Sequence, residues 1–316
     1  MASGHGRDVA EPVGVGEGLG RAEPLCHQWP YAPGVLAIAL SLVASACWGS
    51  ADFAGGLVTK RSSVIGVLLC VEGVGLALVV VALLISGEAV PPTDAVLYAL
   101  AAGVCGVSAL GFFYSGLAIG TMSIVAPISA SGAALPVLVG VLSGDTLSTL
   151  VAVGLVVTMA GVILASLEAT VEEETREHTR ASRMSIVLAL LAALGFGGYF
   201  SLSDPAADFS VLWLLFFVRI LGVIVLSGLA LVRRTQLPVG RDRGLVAGAG
   251  VLDVSATGLY GVAQTLGALS IVSVVGALYP VTTVLLARGF LGERLRTIQA
   301  VGVGLALTGV ALIAAG

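Results

Sequence analysis

The chain has 316 residues, of which 57% are hydrophobic and only 11% are charged, and its formal net charge is −4. Soluble domains carry roughly 25% charged residues, so this chain lacks the charge that a surface facing water needs. The composition excludes a soluble enzyme, a nucleic-acid-binding protein and a disordered protein, and it leaves a polytopic membrane protein.

The N-terminal segment differs from the rest of the chain. Residues 1–34 contain Gly, Glu and Pro without hydrophobic periodicity, and they lack the order of a basic and then an apolar segment that a cleaved signal peptide shows. They predict a disordered N-terminal tail that ends at Pro33-Gly34.

Apolar segments of about 20 residues follow the tail, and each is long enough to cross a hydrocarbon core of roughly 30 Å as a helix. The segments are continuously apolar rather than alternating, which favours helices over the strands of a barrel. We predict ten spans, at residues 35–58, 64–86, 95–118, 121–143, 147–167, 185–204, 210–232, 244–267, 270–290 and 297–315. The charged run over 168–184 predicts a linker between the fifth and the sixth span.

The two halves of the chain repeat one another. A shift of 147 residues superimposes Gly103, Ser108, Ala109 and Gly111 on Gly250, Ser255, Ala256 and Gly258. A shift of 148 residues superimposes Leu147, Thr149 and Ala152 on Leu295, Thr297 and Ala300. We therefore predict an all-α polytopic membrane protein with two five-helix repeats, at 35–167 and 185–316.

A repeat with an odd number of spans forces the second copy to enter the membrane upside down relative to the first. This is the inverted-repeat plan of secondary transporters, in which the binding site lies near the bilayer midplane between the halves. Twelve of the fifteen basic residues lie at the ends of odd-numbered spans or in the loops that follow them. The positive-inside rule therefore predicts that the 168–183 linker is cytoplasmic and that both termini are outside a cell membrane.

Several short motifs, taken in their order, are similar to those of a known family. Trp48-Gly49-Ser50, the Ser-Ile-Val start of spans four and nine, Tyr279-Pro280-Val281 and the run from Leu291 to Leu295 resemble the EamA-type drug/metabolite transporters. The resemblance covers residues 35–315. It implies a ten-helix membrane protein that moves a solute, often an exporter of amino acids, metabolites or drugs.

Two ionisable residues within the spans are related by the repeat. An ionisable side chain at this depth costs several kcal/mol unless it is paired or hydrated, so each one is a functional candidate. Glu72 and Arg219 are separated by 147 residues and so occupy equivalent positions in spans two and seven. They predict either an ion pair that binds substrate or rearranges during transport, or a static pair that holds two helices together. The family resemblance implies an Arg at such a position, and Glu72 departs from that pattern.

Polar faces on two other spans predict the lining of a cavity. Asp52 follows Trp48 by four residues, so both lie on one face of span one. In span eight, Asp253 shares a face with Thr257, Tyr260 and Gln264. Lipid cannot satisfy a polar face, so we expect both faces to point inward. Tyr114 and Tyr279 are further candidates for contact with the solute.

No pattern typical of catalysis, ATP binding or metal binding is present in the sequence, and it predicts no cofactor. The favoured hypothesis is a secondary carrier of a small metabolite, amino acid or drug, lined by spans one, two, seven and eight with parts of four and nine. Its partners would be the solute, the lipid bilayer and a proton or other coupling ion, and not a nucleic acid. The alternatives are a membrane protein that binds or signals without transport, and a membrane-embedded enzyme that acts on lipid-linked substrates.

Overall fold

The computed structural model describes residues 33–120, 122–165, 176–291 and 297–315. Of the predicted tail only Pro33 and Gly34 are described, and residues 168–175 of the predicted linker lie outside the described residues. All regular elements in the described ranges are helical. They are α1 (Pro33–Thr59), α2 (Val64–Ser86), α3 (Thr93–Ile119), α4 (Met122–Ala130), α5 (Ala134–Ser143), α6 (Thr149–Ala165), α7 (Arg176–Ala207), α8 (Val211–Arg233), α9 (Arg241–Gln264), α10 (Leu269–Gly276), α11 (Tyr279–Leu291) and α12 (Thr297–Ala315).

The ends of these helices have local causes. Gly87 ends α2 in the left-handed conformation, with a φ of 64°, and its N–H is bonded to the carbonyl of Leu83. Pro92 precedes α3 in an extended conformation that a helix cannot include. Ser210 caps α8, because its side chain accepts a hydrogen bond of 3.1 Å from the backbone N–H of Trp213.

Two of the predicted spans are broken near their middle. The span predicted at 121–143 forms α4 and α5, which are joined by a 3₁₀ turn at Ser131–Ala133. The span predicted at 270–290 forms α10 and α11, which are separated at residues 277–278. Pro136 and Pro280 each stand in the first turn of the helix that follows a break, where proline is tolerated because the first N–H groups have no helical partner.

The described helices have the lengths and surfaces of membrane segments. Six of them, α1, α2, α3, α7, α8 and α9, are long and apolar enough to cross a bilayer, and the others form shorter apolar segments. Large apolar side chains such as Leu84, Leu142 and Val232 are at least 77% exposed. An apolar surface of this extent is typical of contact with lipid rather than water. The predicted all-helical, polytopic membrane class is confirmed at this level.

The helices of the first half pack mainly against helices of the second half. The α1 helix packs on α9, and α3 packs on α7, so these contacts cross the chain's midpoint. The α2 and α8 helices pack against each other, as do α6 and α12. The core therefore lies between the halves, where α1, α2 and α3 face α7, α8 and α9.

Candidate functional site

A cavity lies between the two halves of the chain, and it encloses about 640 Å³ of space including the part that opens outward. Its lining comes from α1, α2, α3, α7, α8, α9 and α11. Six of the predicted site residues line it, namely Trp48, Asp52, Glu72, Arg219, Asp253 and Tyr279. The four charged groups that the sequence singled out within the spans therefore share one space.

Arg219 is the centre of a buried group of charges. Its Nη1 lies 3.2 Å from Glu72 Oε2, and its Nη2 lies 2.5 Å from Asp253 Oδ2. The Arg219 and Glu72 side chains are each 3% exposed. Among the described residues, neither carboxylate oxygen has a hydrogen-bond partner of good angle, so both contacts are ion pairs of electrostatic character. One guanidinium thus serves two carboxylates.

Thr257 holds the guanidinium from the side of α9. Its Oγ1 accepts a hydrogen bond of 3.0 Å from Arg219 Nη2 and donates one of 2.7 Å to the carbonyl of Asp253. Because Asp253 and Thr257 are one turn apart, α9 presents both acceptors to the same nitrogen. This bond fixes the arginine head group toward Asp253.

Glycines make room for the charged side chains on α2 and α8. A Cβ on Gly75 would lie 3.2 Å from Cδ and Nε of Arg219, and a Cβ on Gly222 would lie 3.0 Å from the carboxylate of Glu72. Each glycine follows the charged residue of its own helix by three positions. Any larger residue would press on the partner's side chain, so the two glycines let α2 and α8 approach closely enough for the pair to form.

Asp52 stands apart from these ion pairs. Its Oδ1 accepts a hydrogen bond of 3.3 Å from the hydroxyl of Tyr114, and Asp52 is 8% exposed. Gly55 follows three positions later, and a Cβ there would lie 2.6 Å from the Tyr114 hydroxyl. Among the described residues, no cationic side chain forms an ion pair with Asp52.

Aromatic rings form much of the rest of the cavity wall. The ring of Trp48 lies 5.8 Å from that of Phe200 and 5.3 Å from that of Tyr260, measured between centroids. Phe200 lines the cavity, whereas Tyr260 is fully buried behind it and shares a hydrogen bond of 3.0 Å with Ser273. Tyr279 lines the cavity, and its hydroxyl donates to the carbonyl of Ala126 at 3.4 Å.

Three of the predicted site residues support the cavity from outside its lining. Tyr114 acts through Asp52, and Tyr260 packs behind Trp48. Gln264 joins α9 to α7, because its Nε2 donates to the carbonyl of Phe200 at 3.0 Å and its Oε1 accepts from Ser203 at 3.2 Å. These three residues therefore contact other residues of the protein rather than the cavity itself.

The sequence interpretation missed the contribution of α3 and α7, which correspond to spans three and six. The lining residues it did not predict are Gly106, Val107, Leu110, Phe196, Tyr199, Phe200 and Val218. The repeat relates Phe196 to Trp48 and Phe200 to Asp52, so the repeat was the signal for these two positions. Apart from Tyr199, the other residues are small or apolar, and nothing in their residue types separates a cavity wall from ordinary helix packing.

Within the described residues, no three His, Cys, Asp or Glu side chains are grouped as a metal ion would require. Two of the acidic residues of the cavity are instead paired with Arg219, and Asp52 lines the same cavity without an ion pair among the described residues. Such an arrangement can bind and orient a charged or polar solute, since its polar groups converge on one space with an aromatic wall.

Comparison with known proteins shows a similar fold, and a family resemblance over the second half of the chain. A solved crystal structure, described only as that of a protein, has a TM-score of 0.69 to this chain at 18% identity, and the match covers 88% of this chain and 98% of that chain. No curated protein matches the chain in sequence. Residues 183–315 match the model of the EamA-like transporter family. This match confirms the predicted resemblance over residues 183–315, and it indicates a multi-pass membrane transport protein similar to the drug/metabolite transporter superfamily.

Proposed function

We propose that the protein is a secondary carrier that moves a small solute across the cell membrane by alternating access between two inverted five-helix repeats, 35–167 and 185–316. The observation that carries this proposal is the Glu72–Arg219 pair. These residues occupy equivalent positions in the two halves, and they meet in a buried cavity lined from both. A site at the seam of two repeats is the arrangement that alternating access requires.

The packing of the helices supports a two-fold relation between the halves. In the proposed repeats, α1 corresponds to α7 and α3 corresponds to α9. Exchange of the halves therefore converts the α1–α9 contact into the α7–α3 contact, and both contacts are extensive. The same exchange leaves the α2–α8 and α6–α12 contacts unchanged. A two-fold axis relating the repeats would produce this pattern.

Individual residues support the same relation. A Cβ on Gly103 would lie 3.2 Å from Cα of Val218, and a Cβ on Gly250 would lie 3.0 Å from the carbonyl oxygen of Val71. The repeat relates Gly103 to Gly250 and Val71 to Val218. The two contacts are therefore copies of one another.

Two polar contacts at opposite ends of the helices have the properties of gates. At one end, Arg61 donates two hydrogen bonds to Asp242, of 2.6 and 3.1 Å. At the other end, Ser210 donates to Glu88 at 2.5 Å, and Trp213 Nε1 donates to the Glu88 carbonyl at 3.3 Å. The Arg61 side chain is 57% exposed, and an exposed pair of this kind contributes only about 0–1 kcal/mol, so it can open in each transport cycle.

A cross-linking experiment tests alternating access. The native cysteines Cys26, Cys47, Cys70 and Cys105 are replaced by Ala, and two double variants are made, Arg61→Cys with Asp242→Cys and Glu88→Cys with Ser210→Cys. The purified proteins are reconstituted into liposomes, and the movement of labelled amino acids, metabolites and drugs is measured under ion gradients.

We expect a short thiol-reactive cross-linker to stop transport in both double variants, because each link holds one end of the cavity closed. Cleavage of the linker should restore transport, and the four single-cysteine variants should be insensitive to the reagent. Undiminished transport in both linked proteins would contradict alternating access. The absence of movement of any solute across the panel would contradict the carrier itself.

A further inference from the structure

We propose that the solute which this cavity accepts is a small organic cation with an apolar or aromatic body. This inference rests on the proposed function and adds the substrate class. It depends on the balance of charge in the cavity, on the position of Asp52 and on the aromatic rings beside it.

The cavity carries more negative than positive charge. The described residues that line it include the carboxylates of Asp52, Glu72 and Asp253 but only one cationic group, the guanidinium of Arg219. Arg219 is in contact with Glu72 and Asp253, so its charge is already shared between two acids. An uncompensated carboxylate inside a membrane protein is costly, and a cation that enters the cavity would remove that cost.

Asp52 is the acid that lacks a cationic partner among the described residues. Its hydrogen bond from Tyr114 is uncharged and, at 3.3 Å, long. Glu72 and Asp253 also line the cavity but are ion-paired with Arg219, whereas Asp52 has no ion pair among the described residues. We therefore assign the charged end of the solute to Asp52.

The surroundings of Asp52 favour an organic cation over a hydrated inorganic ion. Trp48 lies one turn before Asp52 on the same helix face, and Phe196, Tyr199, Phe200 and Tyr279 also line the cavity. Aromatic faces attract cations that carry little hydration, and groups of such rings are the common receptor for quaternary ammonium ions. Apolar rings offer no oxygen ligands to a metal cation, which needs several of them.

The polar groups are unevenly divided between the halves. The repeat relates Asp253 to Gly106 and Thr257 to Leu110, so α9 contributes the acid and the hydroxyl where α3 contributes small or apolar groups. The repeat also relates Asp52 to Phe200. The acid of α1 thus corresponds to an aromatic ring on α7, and a solute with one charged end and one apolar end fits this unequal lining.

Equilibrium binding to the purified, full-length protein in detergent tests the inference with three ligands of nearly the same shape. They are phenyltrimethylammonium, its neutral counterpart tert-butylbenzene and the anion benzenesulfonate. We expect phenyltrimethylammonium to bind roughly tenfold or more tightly than the neutral compound, because it adds both ion pairing and contact with the rings. Benzenesulfonate should bind more weakly than either.

Two variants locate the site. Asp52→Asn keeps the size of the side chain and an acceptor for Tyr114, and it should weaken the binding of phenyltrimethylammonium by roughly tenfold while leaving tert-butylbenzene unchanged. Asp94→Asn is the matched control, because Asp94 is an exposed acid in the first turn of α3, outside the cavity. It should bind all three compounds as the parent protein does.

Several results would overturn the inference. Equal binding of the three compounds to the parent protein would do so without any variant. Tight binding that Asp52→Asn does not weaken would also do so, and so would binding of benzenesulfonate alone. Failure to bind phenyltrimethylammonium, with a different solute transported in liposomes, would reject the substrate class and leave the carrier intact. Binding without transport of any solute would reject the carrier and leave the cation site.

Discussion

At the scale of single residues, the unusual feature of this protein is a guanidinium shared by two buried carboxylates. A buried ion pair often adds little net stability, because loss of hydration offsets the attraction. Removal of one partner is a different matter, since it leaves an isolated charge in a medium of low dielectric constant. The number of charges left without a partner therefore decides the effect of a substitution.

Arg219→Met should be the most damaging change in the cavity, because it leaves both Glu72 and Asp253 without a cation. We expect a loss of about 3–5 kcal/mol or failure to accumulate in the membrane. Glu72→Gln should cost clearly less, since Arg219 keeps Asp253 and its hydrogen bond to Thr257. Thermal unfolding of the purified proteins in detergent gives the order of their stabilities. A Glu72→Gln protein as unstable as Arg219→Met would show that Asp253 does not stabilise the guanidinium.

The sequence predicted part of this arrangement. The repeat related Glu72 to Arg219 and so predicted that they would meet, as they do. It left open whether the pair is static or moves during transport, and the geometry is compatible with both. Asp253 was predicted to face inward, but its contact with Arg219 was not, because the repeat relates Asp253 to Gly106 rather than to a charged residue. An ion pair such as Asp253–Arg219, which has no counterpart in the other half, cannot be predicted by comparison of the two halves.

The spacing between charged residues and glycines indicates helix contacts that the residue types alone do not. Asp52, Glu72 and Arg219 are each followed by glycine three positions later, at Gly55, Gly75 and Gly222. In all three cases the glycine gives space to a side chain that reaches over from another helix. A charged residue three positions before a glycine inside an apolar span therefore indicates a close polar contact between helices.

At the scale of helices, most bounds were predictable, but the start of α7 and the positions of the breaks were not. Loops such as Pro91-Pro92 end most helices close to the predicted bounds, whereas α7 starts at Arg176, inside the predicted charged linker and nine residues before the predicted start of span six. The breaks at Ser131–Ala133 and at 277–278 fall within apolar sequence. Pro136 and Pro280 indicate that a helix starts nearby. They do not fix where the preceding helix stops, because that depends on packing against α7 and α1.

The crossing of α6 and α12 depends on glycine. A Cβ on Gly161 would meet the backbone nitrogen of Ala306 and lie 2.8 Å from the carbonyl oxygen of Gly302. A Cβ on Gly309 would lie 2.7 Å from the carbonyl oxygen of Gly154. Backbone atoms cannot turn aside as a side chain can, so the helices would have to separate.

Gly161→Ala should therefore destabilise the protein by about 1–3 kcal/mol through overpacking. Gly304→Ala on α12 is its matched control, because no other helix in the described part of the chain places an atom within 4 Å of a Cβ there. This control should be neutral, or more stable by roughly 0.5–1 kcal/mol through better helix propensity. Apparent melting temperatures of the two purified proteins measure the difference. Equal stabilities would mean that α6 and α12 can separate without loss.

At the scale of the whole molecule, two observations support the proposed inverted repeat. They are the exchange of helix contacts between the halves and the distribution of basic residues. Lys60, Arg61, Arg233, Arg234 and Arg241 all lie at the ends of helices that meet at one end of the molecule. The contact between Arg61 and Asp242 lies at that end, and the contact between Ser210 and Glu88 lies at the other. An inverted repeat requires that equivalent loops of the two halves lie on opposite sides of the membrane.

Val90 and Leu237 provide a direct test of that requirement, because the repeat relates them and both are exposed in loops. In a background without native cysteines, Val90→Cys should react with a membrane-impermeant thiol reagent on intact cells. Leu237→Cys should react only after the cells are opened, because its loop lies beside Arg233, Arg234 and Arg241 and the positive-inside rule places such loops in the cytoplasm. Reaction of both cysteines from the same side would contradict the inverted repeat. The reverse pattern would keep the inversion and place the basic loops, and the 168–183 linker with them, outside the cell.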